Sequence, residues 1–258
     1  MPAPEVHVFD DASTVADEAA EFLVWLIQQH GVHRGPFTLA LAGGTTPIAL
    51  YERLATTHAA SASWDRIEWY FGDERCVPPG HPDSNYRMAH NALFVPLKVP
   101  TSQIFPMYDG TANVEAAAQA YEAILRRRLP AEATGWPRFD AILLGLGDDG
   151  HTASLFPHSP ALEERSRSVV ATESPRGVRH RLTITLPVIN HAHTVLFLVT
   201  GRQKAEVVAR VLEDRAIDPH DCPAKFVTAP DGRLVWYVDG QAASRLSASR
   251  QQVVFDEE

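Results

Sequence analysis

Asp149 and His151, separated by a single glycine, carry the most pointed chemistry in this chain. They lie in the run Gly145-Leu146-Gly147-Asp148-Asp149-Gly150-His151. An imidazole ordinarily titrates near about 6.5, so it can accept a proton at neutral pH. A carboxylate two residues away can fix its tautomer and orientation. The same run matches G-x-G-x-x-G after the apolar segment 139–144, the pattern of a dinucleotide-binding turn. Two features speak against that use. Asp148 and Asp149 would stand where a pyrophosphate must lie, and Pro157 cuts short the helix whose N-terminus should hold it. The plain alternative is a capping aspartate and an incidental histidine.

Three further loops combine unusual residues with the end of an apolar segment. Gly43-Gly44-Thr45-Thr46-Pro47 follows residues 37–42. Its glycines let an anion approach the backbone, its threonines add hydroxyls, and a helix start supplies free N–H groups. A tight turn with a threonine cap would explain part of this, but two Gly and two Thr exceed what a cap requires. No Gly-Lys-Ser or Gly-Lys-Thr follows, so it is not a nucleotide P-loop. Gly72-Asp73-Glu74-Arg75 ends the segment 67–71 and reads as a loop of three charges. A guanidinium there suits multi-bond anion binding, with the carboxylates to orient it. Gly201-Arg202-Gln203-Lys204 places an ammonium in the first turn of a helix, against the dipole preference. An anionic ligand would account for Lys204, whereas Arg202 needs only solvent. Arg181 begins a strand-like segment and is ambiguous by itself.

Other residues invite less. His191 and His193 have the spacing of one strand face, but no suitably placed carboxylate or third histidine makes them a metal site. Ser154 lacks the G-x-S-x-G elbow of a serine hydrolase. Cys76 and Cys222, the only two cysteines, form neither a framework nor a metal spacing and read as reduced cytoplasmic thiols. No metal or cofactor is called for.

The elements that must position these loops follow from periodicity. Segments 6–9, 37–42, 67–71, 139–144, 194–200 and 234–238 read as strands, and 168–172 and 182–185 as weaker ones. Helix-length segments alternate with them. Asp11 or Ser13 caps a helix to about Gln29, Pro47 opens a second, and residues 84–93 form a third. Asn113 caps a fourth to Leu129, and a fifth covers 204–212. The last strand precedes a short helix and a polar, frayed tail from about Ser247 to 258. This alternation predicts an α/β sheet with helices on both faces. In an open parallel sheet the carboxyl ends of strands line the ligand crevice, so the four loops should converge. Nothing in the composition forces a boundary, so residues 1–258 read as one domain with its core over about 6–243.

The chain has 258 residues, 45% hydrophobic and 21% charged, which suits a globular protein and excludes collagen-like or disordered classes. Its net charge of −9, without a basic face, argues against nucleic acid and anionic membranes as partners. No apolar run approaches the roughly 20 residues of a membrane helix, and no secretion signal is visible. The residues by themselves describe an acidic α/β enzyme with a locally basic crevice for a small phosphorylated molecule.

Taken in order, the four loops resemble the 6-phosphogluconolactonase family. The resemblance is carried by residues 41–47, by 71–78 with Asp83-Ser84-Asn85-Tyr86, by 144–157, and by Arg181-Leu182-Thr183 through 201–204. It extends over about 6–243, and the His151 block is its most specific part. Two departures stand out: His158 where a glycine usually follows Phe-Pro, and Lys225 in a segment that is normally less charged. The resemblance implies a three-layer α/β/α sandwich with a mostly parallel, Rossmann-like sheet, as in sugar-phosphate isomerases and deaminases. It implies hydrolysis of a phosphorylated sugar lactone in the cytoplasm, with His151 as base and Asp149 orienting it. Arg75 and Lys204 would hold the phosphate with Gly43, Gly44, Thr45 and Thr46; Arg181 would assist, and Asp73 would join the binding set. A monomer is the expected state, with a weak homodimer as the alternative.

Two rivals share parts of this pattern. Glucosamine-6-phosphate deaminases pair the histidine with a glutamate five residues later, where this chain has Phe156. Sugar-phosphate sensors of the same fold carry an N-terminal DNA-binding segment, whereas here the first strand begins at Val6.

Overall fold

The computed structural model describes residues 3–31, 35–110, 113–131 and 135–248. Its strands are β1 (Glu5–Phe9), β2 (Phe37–Leu41), β3 (Ile67–Phe71), β4 (Asp73–Arg75), β5 (Ala141–Leu144), β6 (Val169–Glu173), β7 (His180–Ile184), β8 (Thr194–Val199) and β9 (Arg233–Asp239). Six of them form one sheet in the order β1-β9-β8-β5-β2-β3, and every neighbouring pair is parallel. Such strands are buried on both faces, which is why β2, β3, β5 and β8 are mainly apolar rather than alternating, with Thr38 and Glu68 as buried polar exceptions in β2 and β3. Phe197 and Trp236 stack at 3.9 Å between ring centroids in the middle of this core.

Helices α1 (Ala12–Gln29) and α2 (Thr46–Thr56) pack on each other. The Asp11 side chain caps α1 by accepting the Thr14 N–H at 2.9 Å, and Val15, Ala16, Ala19, Ala20 and Leu23 form its buried stripe. After α2 come α3 (Asn85–Ala89), α4 (Val95–Leu97), α5 (Val114–Arg128), α6 (Leu186–Asn190) and α7 (Ala205–Leu212). Asn113 caps α5 through the Ala116 N–H at 2.7 Å, and Arg126, Arg127 and Arg128 sit in its last turn, where the dipole favours them.

The chain steps outward from β2 to β3 and then reverses to β5, on the other side of β2. Right-handed crossovers therefore put α1 and α2 on one face and α5 and α7 on the other, giving three layers. The reversal also opens a crevice between the carboxyl ends of β2 and β5. The four strands whose ends carry the chemical loops are consecutive in the sheet: β8, β5, β2 and β3.

Four local features depart from the sequence reading. Asp73-Glu74-Arg75 is a strand, not a loop, and joins a second, antiparallel sheet of order β4-β7-β6. Gly72 links the two sheets: its N–H donates to Leu41 O and its carbonyl accepts from Ile184 N, both at 2.9 Å. The helix expected over 84–93 is broken into α3 and a π turn at His90–Phe94. Pro96 cannot donate to Ala92, and the Val95 N–H reaches back to His90 O instead. His191 caps α6 and His193 precedes β8, so they do not share a strand face. Finally, residues 240–245 form turns rather than a short helix. Asp239 accepts the Ala242 N–H at 2.7 Å and holds that turn. The polar tail lies, from residue 249 on, outside the described residues.

Candidate active site

A cavity of about 460 Å³ sits at the carboxyl ends of β2 and β5, a size that suits a small sugar phosphate. Gly43, Gly44, Thr45, Thr46, Asp73, Arg75, Asp149, His151, Arg181 and Lys204 all line it. The topology thus brings together residues that the sequence spreads over some 160 positions.

His151 Nδ1 lies 2.5 Å from Asp149 Oδ1. A carboxylate in contact with Nδ1 makes that nitrogen the donor and leaves Nε2 as the basic one. The same Asp149 oxygen accepts the His151 backbone N–H at 3.1 Å. Burial pushes the Asp149 carboxyl up, but the His151 hydrogen bonds and charge outweigh it and hold the group at about 2. Phe156 packs against the imidazole, with ring centroids 4.7 Å apart.

Two glycines of this loop, Gly147 and Gly150, leave no room for a side chain. A Cβ on Gly147 would lie 2.0 Å from His151 Nδ1. After β5 the chain continues through turns and the Thr152–Leu155 bridge, with no helix behind the glycines. That geometry excludes the dinucleotide use of the G-x-G-x-x-G match. The unusual His158 adopts φ +57°, the left-handed region where glycine is favoured. Its ring meets Asp221 Oδ1 at 2.7 Å.

Asp73 and Arg75 reach the cavity from β4. Asp73, 7% exposed, accepts from Ser154 Oγ at 2.6 Å and Asn85 Nδ2 at 3.1 Å. Glu74 points the other way. Its carboxylate accepts the N–H groups of Arg75, Asn85 and Tyr86 at 2.7–2.8 Å and the Ser84 hydroxyl at 3.1 Å. Burial raises its pKa against those bonds. Glu74 thereby ties the α3 start beneath β4, and Asn85 in turn abuts Gly43, where a Cβ would come within 2.1 Å of Asn85 Oδ1.

Arg75 stands directly opposite Arg181 in the β4–β7 register. Arg75 Nη1 donates to Asp83 O and Arg181 Nε to Val178 O, both at 2.8 Å, while Arg75 Nε is buried without a partner. Burial, and then the Arg75 charge, lower the Arg181 pKa. Like charges directly opposite across a sheet repel, so this arrangement favours an anion between or beside them.

The glycine-threonine loop enters α2 with Thr45 at the N-cap, but the Thr45 side chain makes no capping bond. The threonine-cap alternative therefore fails; in the first turn Pro47 has no N–H and Ile48 N donates to Thr45 O at 3.2 Å. Tyr51, buried inside α2, donates to Ala42 O at 2.8 Å and pins the end of β2. Thr46 Oγ1 comes within 3.4 Å of Thr200 Oγ1, closing the loop against β8. Lys204 ends a 3-10 turn and is the N-cap of α7. It is ion-paired to Asp148, so a ligand is not its sole compensation at a helix start.

Sequence reasoning missed Asp148, Ser154, Asn85 and Asp239. Asp148 was visible beside Asp149 but its partner Lys204 lies 56 positions away. The others act by hydrogen bonds across the fold: Asp239 accepts the Gly201 N–H at 2.9 and 3.0 Å and so aims the turn that carries Lys204. Lys225, the second departure from the pattern, caps α7 by donating to Val211 O at 3.3 Å. Among the described residues no cluster of three or more His, Cys, Asp or Glu is arranged for a metal, and no helix is long and apolar enough to cross a membrane.

Residues 10–236 match the sequence profile described as glucosamine-6-phosphate isomerases/6-phosphogluconolactonase. A protein named 6-phosphogluconolactonase from Synechocystis sp. is 42% identical over 244 residues, 95% of this chain and 99% of that protein. The structure of 6-phosphogluconolactonase from Trypanosoma brucei superposes with a TM-score of 0.83 at 31% identity, covering 95% of this chain and 99% of that one. A monomeric glucosamine-6-phosphate deaminase shares the fold at 24% identity and a TM-score of 0.75, over 93% and 99% of the two chains.

Proposed function

The chain belongs to the family of glucosamine-6-phosphate isomerases and 6-phosphogluconolactonases, and within it we propose the lactonase reaction. The protein hydrolyses 6-phospho-D-glucono-1,5-lactone to 6-phospho-D-gluconate in the oxidative pentose phosphate pathway. The observation that carries this reading is the His151–Asp149 contact of 2.5 Å in a cavity lined by basic side chains.

His151 Nε2 takes a proton from a water molecule as the water oxygen attacks the lactone carbonyl carbon. Asp149, ionised at about 2 and above, holds the ring and balances the imidazolium. The tetrahedral intermediate then collapses: the bond to the ring oxygen breaks, and the imidazolium returns its proton to that oxygen as it becomes a hydroxyl. The new carboxylic acid ionises to solvent. No covalent enzyme intermediate is needed, because a 1,5-lactone is already activated.

Arg75 and Lys204 hold the phosphate with the backbone and hydroxyls of Gly43, Gly44, Thr45 and Thr46, and Arg181 assists. Asp73, fixed by Ser154 and Asn85, accepts from a sugar hydroxyl. Each charge-assisted hydrogen bond contributes roughly 1.5–3 kcal/mol, so three or four suffice to orient a ligand this small. A dianionic sugar phosphate does not cross membranes unaided, so the enzyme must share a compartment with the source of its substrate, and the reading adopted is the cytoplasm.

Phe156 favours the lactonase over the deaminase. A ring-opening relay needs a carboxylate at that position, and here an apolar ring lies against the imidazole. The test is direct. Lactone generated in situ should disappear well above its spontaneous rate, and glucosamine 6-phosphate should release no ammonia. Ammonia release without lactone turnover would overturn the reading.

A further inference from the structure

The hairpin between β6 and β7 reaches over the cavity, and its tip, Ser174-Pro175-Arg176-Gly177, lines it. This tip is built to hold one shape. Ser174 N donates to Arg179 O at 2.7 Å and closes the turn. The Ser174 hydroxyl donates to Arg176 O at 2.6 Å and accepts the Arg176 N–H at 3.3 Å. Pro175 fixes one φ angle, and Gly177 takes φ +66°. Gly177 and Val178 fold round the Arg181 guanidinium: Val178 O accepts from Arg181 Nε at 2.8 Å, and a Cβ on Gly177 would stand 3.9 Å from Arg181 Nη2.

Arg179, on the same hairpin, is paired with Glu173 at 2.8 Å. Arg176 lines the cavity, and among the described residues no carboxylate forms an ion pair with it. The small antiparallel sheet therefore delivers three arginines to one opening: Arg75 from β4, Arg181 from β7 and Arg176 from the turn between β6 and β7.

We propose that Arg176 is a specificity-determining residue that contacts the phosphate of the substrate at the mouth of the cavity, on the strength of a hydrogen-bonded turn that brings Arg176 into the cavity lining together with Arg75 and Arg181. The inference rests on the lactonase reading for its substrate and adds a residue to it. A guanidinium offers only donors and a permanent charge, so its preference is for an anion over a sugar hydroxyl. It distinguishes phosphorylated from neutral lactones and plays no part in moving protons.

The experiment compares wild type, Arg176→Lys and Arg176→Gln on 6-phosphogluconolactone and on unphosphorylated glucono-1,5-lactone. Arg176→Gln should raise KM for the phosphorylated lactone by about fivefold to tenfold and leave kcat within about twofold. Arg176→Lys should recover most of that loss, and kcat/KM for the neutral lactone should not change. Calorimetric titration with 6-phosphogluconate and with inorganic phosphate should show the same weakening in Arg176→Gln. Unchanged KM and unchanged phosphate binding, or equal losses on both lactones, would overturn the proposal. If wild type hydrolyses neither lactone yet Arg176→Gln weakens phosphate binding, the lactonase reading fails and the Arg176 assignment stands.

Discussion

The Asp149 carboxylate grips His151 twice, at ring Nδ1 over 2.5 Å and at the backbone N–H over 3.1 Å, both through Oδ1. One oxygen thus fixes both the loop and the ring, the orientation that the proposed base requires. Asp149→Asn keeps the shape but presents an amide that can donate to Nδ1 and favour the wrong tautomer. The expected result is a fall in kcat of about 10²-fold to 10⁴-fold with KM little changed, measured by lactone disappearance.

The pH dependence of stability follows from the same group. The folded-state pKa of Asp149 is depressed from 3.8 to about 2, so its contribution is present above the unfolded value. It is lost as pH falls from about 4 through about 2. Acid denaturation of Asp149→Asn should therefore lack part of the wild-type loss in that window, as followed by circular dichroism. Parallel curves for the two proteins would contradict the depressed value.

Gly147→Ala tests whether the loop shape is catalytic rather than merely tolerated. The added Cβ would come within 2.0 Å of His151 Nδ1, so the ring must leave its place on Asp149. Turnover should drop by about 10²-fold or more while binding of 6-phosphogluconate changes little. Retained activity would mean that the imidazole position is not decisive.

Arg75 and Arg181 oppose each other across β4 and β7, and the Arg181 pKa is lowered by burial and by that neighbour. The charged Arg181 is therefore held at a cost in the free protein. Arg181→Gln should leave Tm of the free protein within about 2–4 °C of wild type, or raise it. It should also lose most of the ligand-induced rise in Tm, which for wild type reflects about 2.7 kcal/mol at a hundredfold excess over Kd. Scanning calorimetry with and without 6-phosphogluconate decides this.

Cys76 adjoins Arg75, but burial, and then the Glu74 charge, push its thiol up to about 11. Little thiolate exists at neutral pH, and alkylating reagents should leave activity intact over an hour at pH 7.5. Rapid inactivation that maps to Cys76 would contradict this environment.

The parts of this architecture legible in the sequence were those governed by local rules. Buried parallel strands announce themselves as apolar runs, and Asp11 and Asn113 as helix caps, because both depend on neighbouring residues. The converging loops were legible too, since a parallel sheet leaves its carboxyl ends as the crevice. What stayed hidden depends on partners distant in the chain. Asp73-Glu74-Arg75 looks like a charged loop, yet it is a strand because residues 181–183 pair with it. Asn85, Ser154 and Asp239 are ordinary polar residues until the fold brings Asp73 and Gly201 to them. The π turn at His90–Phe94 needed the competition between Pro96 and the α-helical register, which spacing alone does not reveal.

His151, the proposed base for lactone hydrolysis, is tested most directly by its replacement. Wild type and His151→Asn are compared on 6-phosphogluconolactone generated in situ, with the spontaneous rate subtracted and 6-phosphogluconate affinity measured for both. Fast hydrolysis by wild type, a fall of about 10²-fold to 10⁴-fold in the variant, and similar product affinity are expected. Equal turnover by the two proteins with binding intact would contradict it.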